Sequence, residues 1–271
     1  HYYIDWHIFG VQIILIGEMS SENNLFNKEY KNNIPYFLIE RKILFKLKKK
    51  YSLILTTAGK NAPIGIRKKL GYDNVSSWKI HLYDKNLKYR LKNIFSILIY
   101  KSKETKNSIL QKIKKPKLNF IFNPSLDLLC RVSKKNLQNN VISFYPDKDY
   151  ILWRFTKNPY HRYFSAIIDV ENNKKIAVIW YEVKRTEYLT DVIIEYLSFP
   201  KNLQLKYIFE KLKYIFNSER IQCRFVYRQA KKNISSNFVK NVSSLLIRFN
   251  IEKMRSQDIY FDSAIRQGIY N

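Results

Sequence analysis

The chain has 271 residues, enough for two domains of ordinary size or one large one, and its 46% hydrophobic and 15% aromatic content excludes a disordered polymer. Lys and Arg number 49 against 22 Asp and Glu, a net charge of +27 that attracts phosphate-bearing partners or an anionic surface. The same charge is what an AT-rich genome writes through abundant Lys, Asn, Ile and Tyr, and it is spread along the chain, so it selects no function by itself. Cys130 and Cys223 stand far apart in apolar runs and read as buried thiols in a reducing compartment. His1, His7, His81 and His161 lack partners at ligand spacing, so no metal is expected. No apolar run approaches the roughly 20 residues of a membrane span, so no stable membrane insertion is expected. The start at His1, without Met or a signal-like region, reads as a trimmed chain or a fragment.

In chain order, YYIDWHIF and VQIILI, separated by Gly10, predict two strands, and SSENNLFNKEYKNN a loop. IPYFLIERKILFKLKKKY predicts a helix with Phe37, Leu38, Leu44, Phe45 and Leu47 largely on one face. SLILTTAGKN reads as a buried strand, NAPIGIRKKLGY as a short helix closed by Gly71, and SSWKIHLYD as a strand presenting Trp78, Ile80 and Leu82 to one side. Residues 86–118 are basic and helix-prone and read as a connection between residues 1–85 and 119–271. NPSLDLLCRVSKK predicts a helix capped by Ser125 or Asn123. YFSAIIDV and IAVIWYEVK form a hairpin about ENNKK, TDVIIEYLSF a third strand, LQLKYIFEKLKYIF a helix, and RIQCRFVYRQ a strand. NISSNFVKNVSSLLIRF reads as a further helix and DIYFDSA as a last strand. One strand–helix plan thus recurs, its first copy lacking its beginning.

No Walker loop, GxGxxG or GxSxG occurs: TTAGKNAPIG has Gly-Lys without the earlier Gly and the hydroxyl residue. The densest cluster is ILWRFTKNPYHRYF, residues 151–164. As a nucleic-acid surface it would stack Trp153, Tyr160 and Tyr163 on bases and set Arg154, Lys157 and Arg162 on phosphates. As packing, it would bury Trp153 and Tyr163 at the entry to a strand, with Arg154 fixing the local geometry and His161 on the surface.

WRFTKNPYHRYFSAII resembles a pattern of GNAT-superfamily acyltransferases of bacterial envelope-polysaccharide loci, matched at Trp153, Arg154, Phe155, Asn158, Pro159 and Tyr163. LILTTAGKNAPIGIRKKLGYDNVSSWKIHLY is similar to the end of such a domain at Asn61, Ala62, Leu70, Gly71 and Tyr72. The resemblance implies an α/β fold of two tandem GNAT-like halves with mixed, largely antiparallel sheets flanked by helices. The first half, 1–85, is truncated, and the second, 119–271, holds any active site.

The resemblance also implies acetyl-CoA or another acyl-CoA as co-substrate, held along the strand before helix 203–216 with its pyrophosphate at the helix N-terminus. That places Tyr196, Leu197, Ser198, Phe199, Lys201, Asn202, Gln204 and Lys206 at the cofactor. The family's glycine-bearing loop is absent: SFPKNLQLK has no glycine, and Lys201 and Lys206 would supply charge where backbone amides usually do.

For the proton taken from an attacking amine, Glu195 is the first candidate and Asp191 the second, and Tyr227 or Tyr260 would protonate the leaving thiolate. The reading is a cytoplasmic N-acyltransferase acting on an amine of a sugar nucleotide or similar envelope precursor. A Fem-type transferase using aminoacyl-tRNA, a non-catalytic GNAT-like scaffold and a plain nucleic-acid binder are the alternatives. A blocked groove beside residues 190–199 would favour the scaffold.

Overall fold

A computed structural model describes residues 3–8, 11–16, 34–58, 64–83, 103–112, 120–137, 141–170, 174–216, 222–231, 240–250, 256 and 258–262. Asn61 and Ala62 and the loop expected after residue 17 lie outside these residues. The strands and helices, in order, are β1 (Tyr3–Ile8), β2 (Val11–Ile16), α1 (Ile34–Leu47), β3 (Leu53–Ala58), α2 (Ile64–Lys69), β4 (Asp73–Tyr83), β5 (Lys103–Glu104), β6 (Phe120–Phe122), α3 (Leu126–Lys135), β7 (Val141–Ser143), α4 (Lys148–Ile151), β8 (Phe164–Val170), β9 (Lys174–Lys184), β10 (Leu189–Ser198), α5 (Leu205–Phe216), β11 (Gln222–Lys231), β12 (Lys240–Phe249) and β13 (Asp258–Asp262).

The described strands form one mixed, largely antiparallel sheet in the order β1-β2-β3-β12-β4-β11-β10-β9-β8-β6; β13 pairs with β11 and β7, and β5 with β9. The sheet crosses the division expected at residues 85 and 119. β12 lies between β3 and β4, antiparallel to both, and β4 pairs in turn with β11. Residues 240–249 are therefore a strand and not the helix that the sequence predicts. Ser243, Ser244 and the run Leu245–Ile247 satisfy either period over so short a stretch, and two flanking strands with open backbone groups decide for the strand.

The hairpin β8–β9, strand β10, helix α5 and strand β11 fall where apolar periodicity places them. Their central positions are largely apolar because the sheet is covered on both faces. On one face Leu129 and Val132 of α3, Ile142 of β7 and Phe155 pack with Ile167, Ile179, Tyr196, Ile259 and Phe261. On the other, Ile208, Phe209, Leu212, Ile215 and Phe216 of α5 cover Trp180, Ile194, Leu197, Phe225 and Tyr227. Each fully buried side chain of this kind contributes about 1.5–3 kcal/mol.

In α1, Leu44 is buried, whereas Leu38 and Phe45, expected on the same face, are 54% and 75% exposed. Successive helical residues diverge by about 100°, so Leu44 and Phe45 cannot both point inward. Gly71, at φ 82, closes α2 as its position predicts. Ser125 caps α3, its hydroxyl accepting from the Leu128 N–H, while Asn123 adopts φ 45 and accepts through Oδ1 from the Ser165 N–H. The expected helical connection is, over its described residues 103–112, strand β5 and a 3-10 turn at Ile109–Lys112. Among the described residues no helix is long and apolar enough to cross a membrane.

Candidate functional site

Strands β10 and β11 run parallel through α5, paired from Leu189↔Gln222 to Ile194↔Tyr227. There the pairing ends, and β10 carries a bulge between Ile194 and Tyr196 that makes Glu195 the inserted residue. Beyond it β11 pairs on one side with β4, Gln229↔Lys79, and on the other with β13, Gln229↔Asp262 to Lys231↔Tyr260. β13 thus enters on the side of β11 that β10 leaves, and the Phe199 and Tyr260 rings meet edge-on across the divergence, centroids 5.9 Å apart.

The sequence-predicted catalytic residues separate into two groups. Glu195 follows Ile194, the register partner of Tyr227, at this divergence. Tyr227 lies on the α5 face, Glu195 is turned to Arg154 of the π turn at Leu152–Thr156, and Tyr260 reaches Tyr227 from β13. Tyr227, fully buried, shares a hydrogen bond between its hydroxyl and that of Tyr260. The Glu195 carboxylate is 6% exposed and its Oε2 stands 3.6 Å from Nη2 of Arg154, equally buried. Asp191 lies toward the other end of β10. Arg224 donates to both its oxygens at 2.8 and 2.9 Å, and Arg185 Nε to Oδ2 at 2.9 Å. Two guanidiniums on one buried carboxylate form a structural ion cluster that engages both of its oxygens.

The cofactor positions also divide. Tyr196 and Leu197 are buried on opposite faces, and the Ser198 hydroxyl donates to the Ser133 carbonyl at 3.5 Å. Lys201, Asn202, Gln204 and Lys206 are exposed around the turn closed by Leu203 N–H to Pro200 O. This outer end, at the start of α5, suits the phosphates of a CoA thioester. Along the inner strip, β13 pairs with β11 on the side that β10 leaves.

The cluster at 151–164 is built on α4 and a π-helical turn, Leu152–Thr156. Asp147 caps α4, accepting from the Tyr150 N–H at 2.7 Å. The wide turn sends Arg154 and Phe155 inward and leaves Trp153 outside: Trp153, expected to pack in the core, is 52% exposed and rests against Tyr150 at 5.6 Å. Asn158 organises the exit, donating to the Arg154 carbonyl at 3.0 Å and accepting from the Tyr160 and His161 N–H groups at 2.9 and 3.0 Å. Pro159 is exposed at this turn, and Tyr163 packs edge-on to Phe155 at 5.0 Å.

His161, expected on the surface, is half-buried, its ring stacked on Tyr181 at 4.5 Å and Nδ1 2.7 Å from Glu104 Oε1. Arg162 Nη1 donates to the Lys106 carbonyl at 2.6 Å. The same segment is held from within by Glu182, whose buried carboxylate accepts from Ser108 Oγ at 2.6 Å, Ile109 N at 2.9 Å, Trp180 Nε1 at 3.1 Å and Thr105 Oγ1 at 3.2 Å. Sequence reading passed over Glu104 and Glu182. The second carries a signal: a carboxylate inside the apolar run IAVIWYEVK needs buried donors.

Between the first turn of α3, the π turn and the start of β8 opens a cleft of about 690 Å³. Leu126, Leu129, Ile151, Phe155 and Ile179 line its apolar part, and Glu104, Thr156, Tyr160, His161, Arg162 and Ser165 its polar part. Burial pushes the Cys223 thiol up to about 12, with the Glu182 charge adding to the shift, and burial also raises Cys130. Among the described residues no three His, Cys, Asp or Glu side chains gather as metal ligands.

No family model matches the chain, and no curated protein is similar to it in sequence. Among solved structures, the GCN5-related N-acetyltransferase of Anabaena variabilis is 10% identical with a TM-score of 0.54, over 89% of this chain and 55% of that one. The chain therefore spans about half the length of that protein. A GCN5-related N-acetyltransferase of Sphaerobacter thermophilus is 7% identical, TM-score 0.38, over 88% and 73%, and a functionally unknown conserved protein of Staphylococcus epidermidis is 9% identical, TM-score 0.41, over 90% and 87%. The likeness to the Anabaena protein shows the fold alone.

Proposed function

We propose that the protein is a cytoplasmic N-acyltransferase that moves an acyl group from an acyl-CoA to the amine of a sugar nucleotide or related envelope precursor. One observation carries this reading: the parallel pair β10–β11 loses its pairing at a bulge whose inserted residue is a carboxylate, with two tyrosine hydroxyls joined at the same divergence. Glu195 is then the group that takes the amine proton, and the Tyr227–Tyr260 pair the one that returns a proton to the thiolate. Lys201, Asn202, Gln204 and Lys206 are the residues for the donor's phosphates. The envelope setting rests on the resemblance of the Trp153–Tyr163 motif alone.

A non-catalytic GNAT-like scaffold is the second reading, favoured by β13 beside β10 and by the glycine-free loop Pro200–Gln204. A thermal-shift titration with acetyl-CoA, and with bulk tRNA in parallel, at low and near-physiological salt separates them. A ligand that binds only the folded state raises the melting temperature as its concentration passes Kd. A salt-tolerant rise with acetyl-CoA supports the transferase; no rise supports the scaffold. A rise with tRNA alone moves the assignment to a Fem-type aminoacyl transferase, where the +27 charge has a use.

A further inference from the structure

We propose that the cleft between α3, the π turn and β8 binds a small organic amine on a hydroxylated ring, with Glu104 holding the nitrogen and Tyr160 and Tyr163 flanking the ring. Its role as the acceptor's place rests on the transferase reading; the binding itself does not.

The volume of about 690 Å³ lies within the range of small-molecule sites, roughly 300–1,000 Å³, and the lining follows their usual plan of an apolar floor with a few placed polar groups. The carboxylate among the lining residues is Glu104, 36% exposed at the side chain. His161 occupies its Oε1, and among the described residues no donor engages Oε2. The lining guanidinium, Arg162, donates to the Lys106 carbonyl and lies over the Phe164 ring at 5.5 Å. A carboxylate disfavours an anion and suits an ammonium, and tyrosine faces add cation–π attraction. Tyr160, 76% exposed, offers both a ring and a hydroxyl at the rim, and Thr156 and Ser165 line the cleft with further hydroxyls.

The wall that carries Glu104 is rigidly set. Residues 104–109 are fastened to the body of the protein at Glu104 by His161, at Lys106 by Arg162, and at Thr105, Ser108 and Ile109 by Glu182. A carboxylate held this way loses little entropy on binding. The floor also adjoins the divergence of β10 and β11. Ile179 pairs across the sheet with Tyr196, next to the bulge, and Arg154 reaches Glu195 from between Ile151 and Phe155.

Isothermal titration of the full chain without acyl-CoA tests this, using D-glucosamine and D-glucose as probes on the unmodified protein, Glu104→Gln and Tyr160→Ala. Glucosamine is expected to bind at least tenfold tighter than glucose, Glu104→Gln to remove that preference, and Tyr160→Ala to weaken both sugars severalfold. Tyr160 is exposed enough that its variant folds even should Glu104→Gln not. No glucosamine binding, equal binding of the two sugars, or an unchanged preference in folded Glu104→Gln overturns the proposal. A parallel acetyl-CoA titration keeps the two readings apart. Acetyl-CoA without glucosamine binding sinks the cleft assignment alone; glucosamine without acetyl-CoA binding keeps the cleft and sinks the transferase.

Discussion

Arg154, on the inner side of the π turn, stands 3.6 Å from Glu195 in the bulge of β10, and both side chains are 6% exposed. Removing one partner of such a pair strands a buried charge and costs about 3–5 kcal/mol. Arg154→Met and Glu195→Gln are each expected to lower the urea midpoint strongly, and the double variant to recover part of the loss. Additive losses in this cycle would mean that the two groups do not interact.

Tyr260→Phe removes the hydroxyl that Tyr227 meets inside the sheet. A loss of about 1 kcal/mol is expected, with Tyr227→Phe/Tyr260→Phe no less stable than the single variant, because the pair then leaves together. Equilibrium denaturation reads the difference. A double variant markedly weaker than the single one would show that each hydroxyl serves a different partner.

The Cys223 thiol is raised by burial from 9.0 to about 12 in the folded chain. Its contribution to stability is therefore complete below about pH 9 and is lost as pH rises through about 12, because the unfolded thiol ionises first. Between pH 8.5 and 10.5 the parent protein should lose about 1–2 kcal/mol more than Cys223→Ala. Parallel stability curves for the two would refute the shift, and a folded-state thiol that reacts rapidly with a disulfide reagent at pH 8 would do so independently.

Glu182→Ala removes one carboxylate and leaves the donors of Thr105, Ser108, Ile109 and Trp180 facing an apolar gap. A loss of about 3 kcal/mol or more is expected from several buried donors at once. Hydrogen exchange should quicken first at Ile109 and Leu110, ahead of the sheet. Unchanged protection there would place the hold on residues 103–112 elsewhere.

A fragment ending at residue 231 lacks β12 and β13, so β3 and β4 lose the strand they share. It is expected to give no cooperative thermal transition, whereas independent halves would leave residues 1–85 folded. Circular dichroism on heating distinguishes the two.

Much of the chain was legible because its signals are local. The apolar runs of β8 and β9, the apolar stripe of α5, Ser125 as cap and Gly71 at positive φ all depend on residues within a few positions of one another. The candidates Glu195, Tyr227 and Tyr260 were named singly, and the structure adds that two share a hydrogen bond and the third an ion pair. Trp153 was misjudged because a π turn shifts which residue faces inward, and no residue pattern there announces the wider turn.

By itself the sequence determined the alternation of strands and helices, the capped helix ends and the aromatic-basic cluster, since backbone periodicity and capping are properties of neighbouring residues. Tertiary structure alone decided that residues 240–249 are a strand, that β13 stands beside β10, and that Glu104 meets His161 across 57 positions. Those outcomes turn on which backbone edges and buried charges need a partner, and a partner distant in sequence is fixed only when the whole sheet has closed.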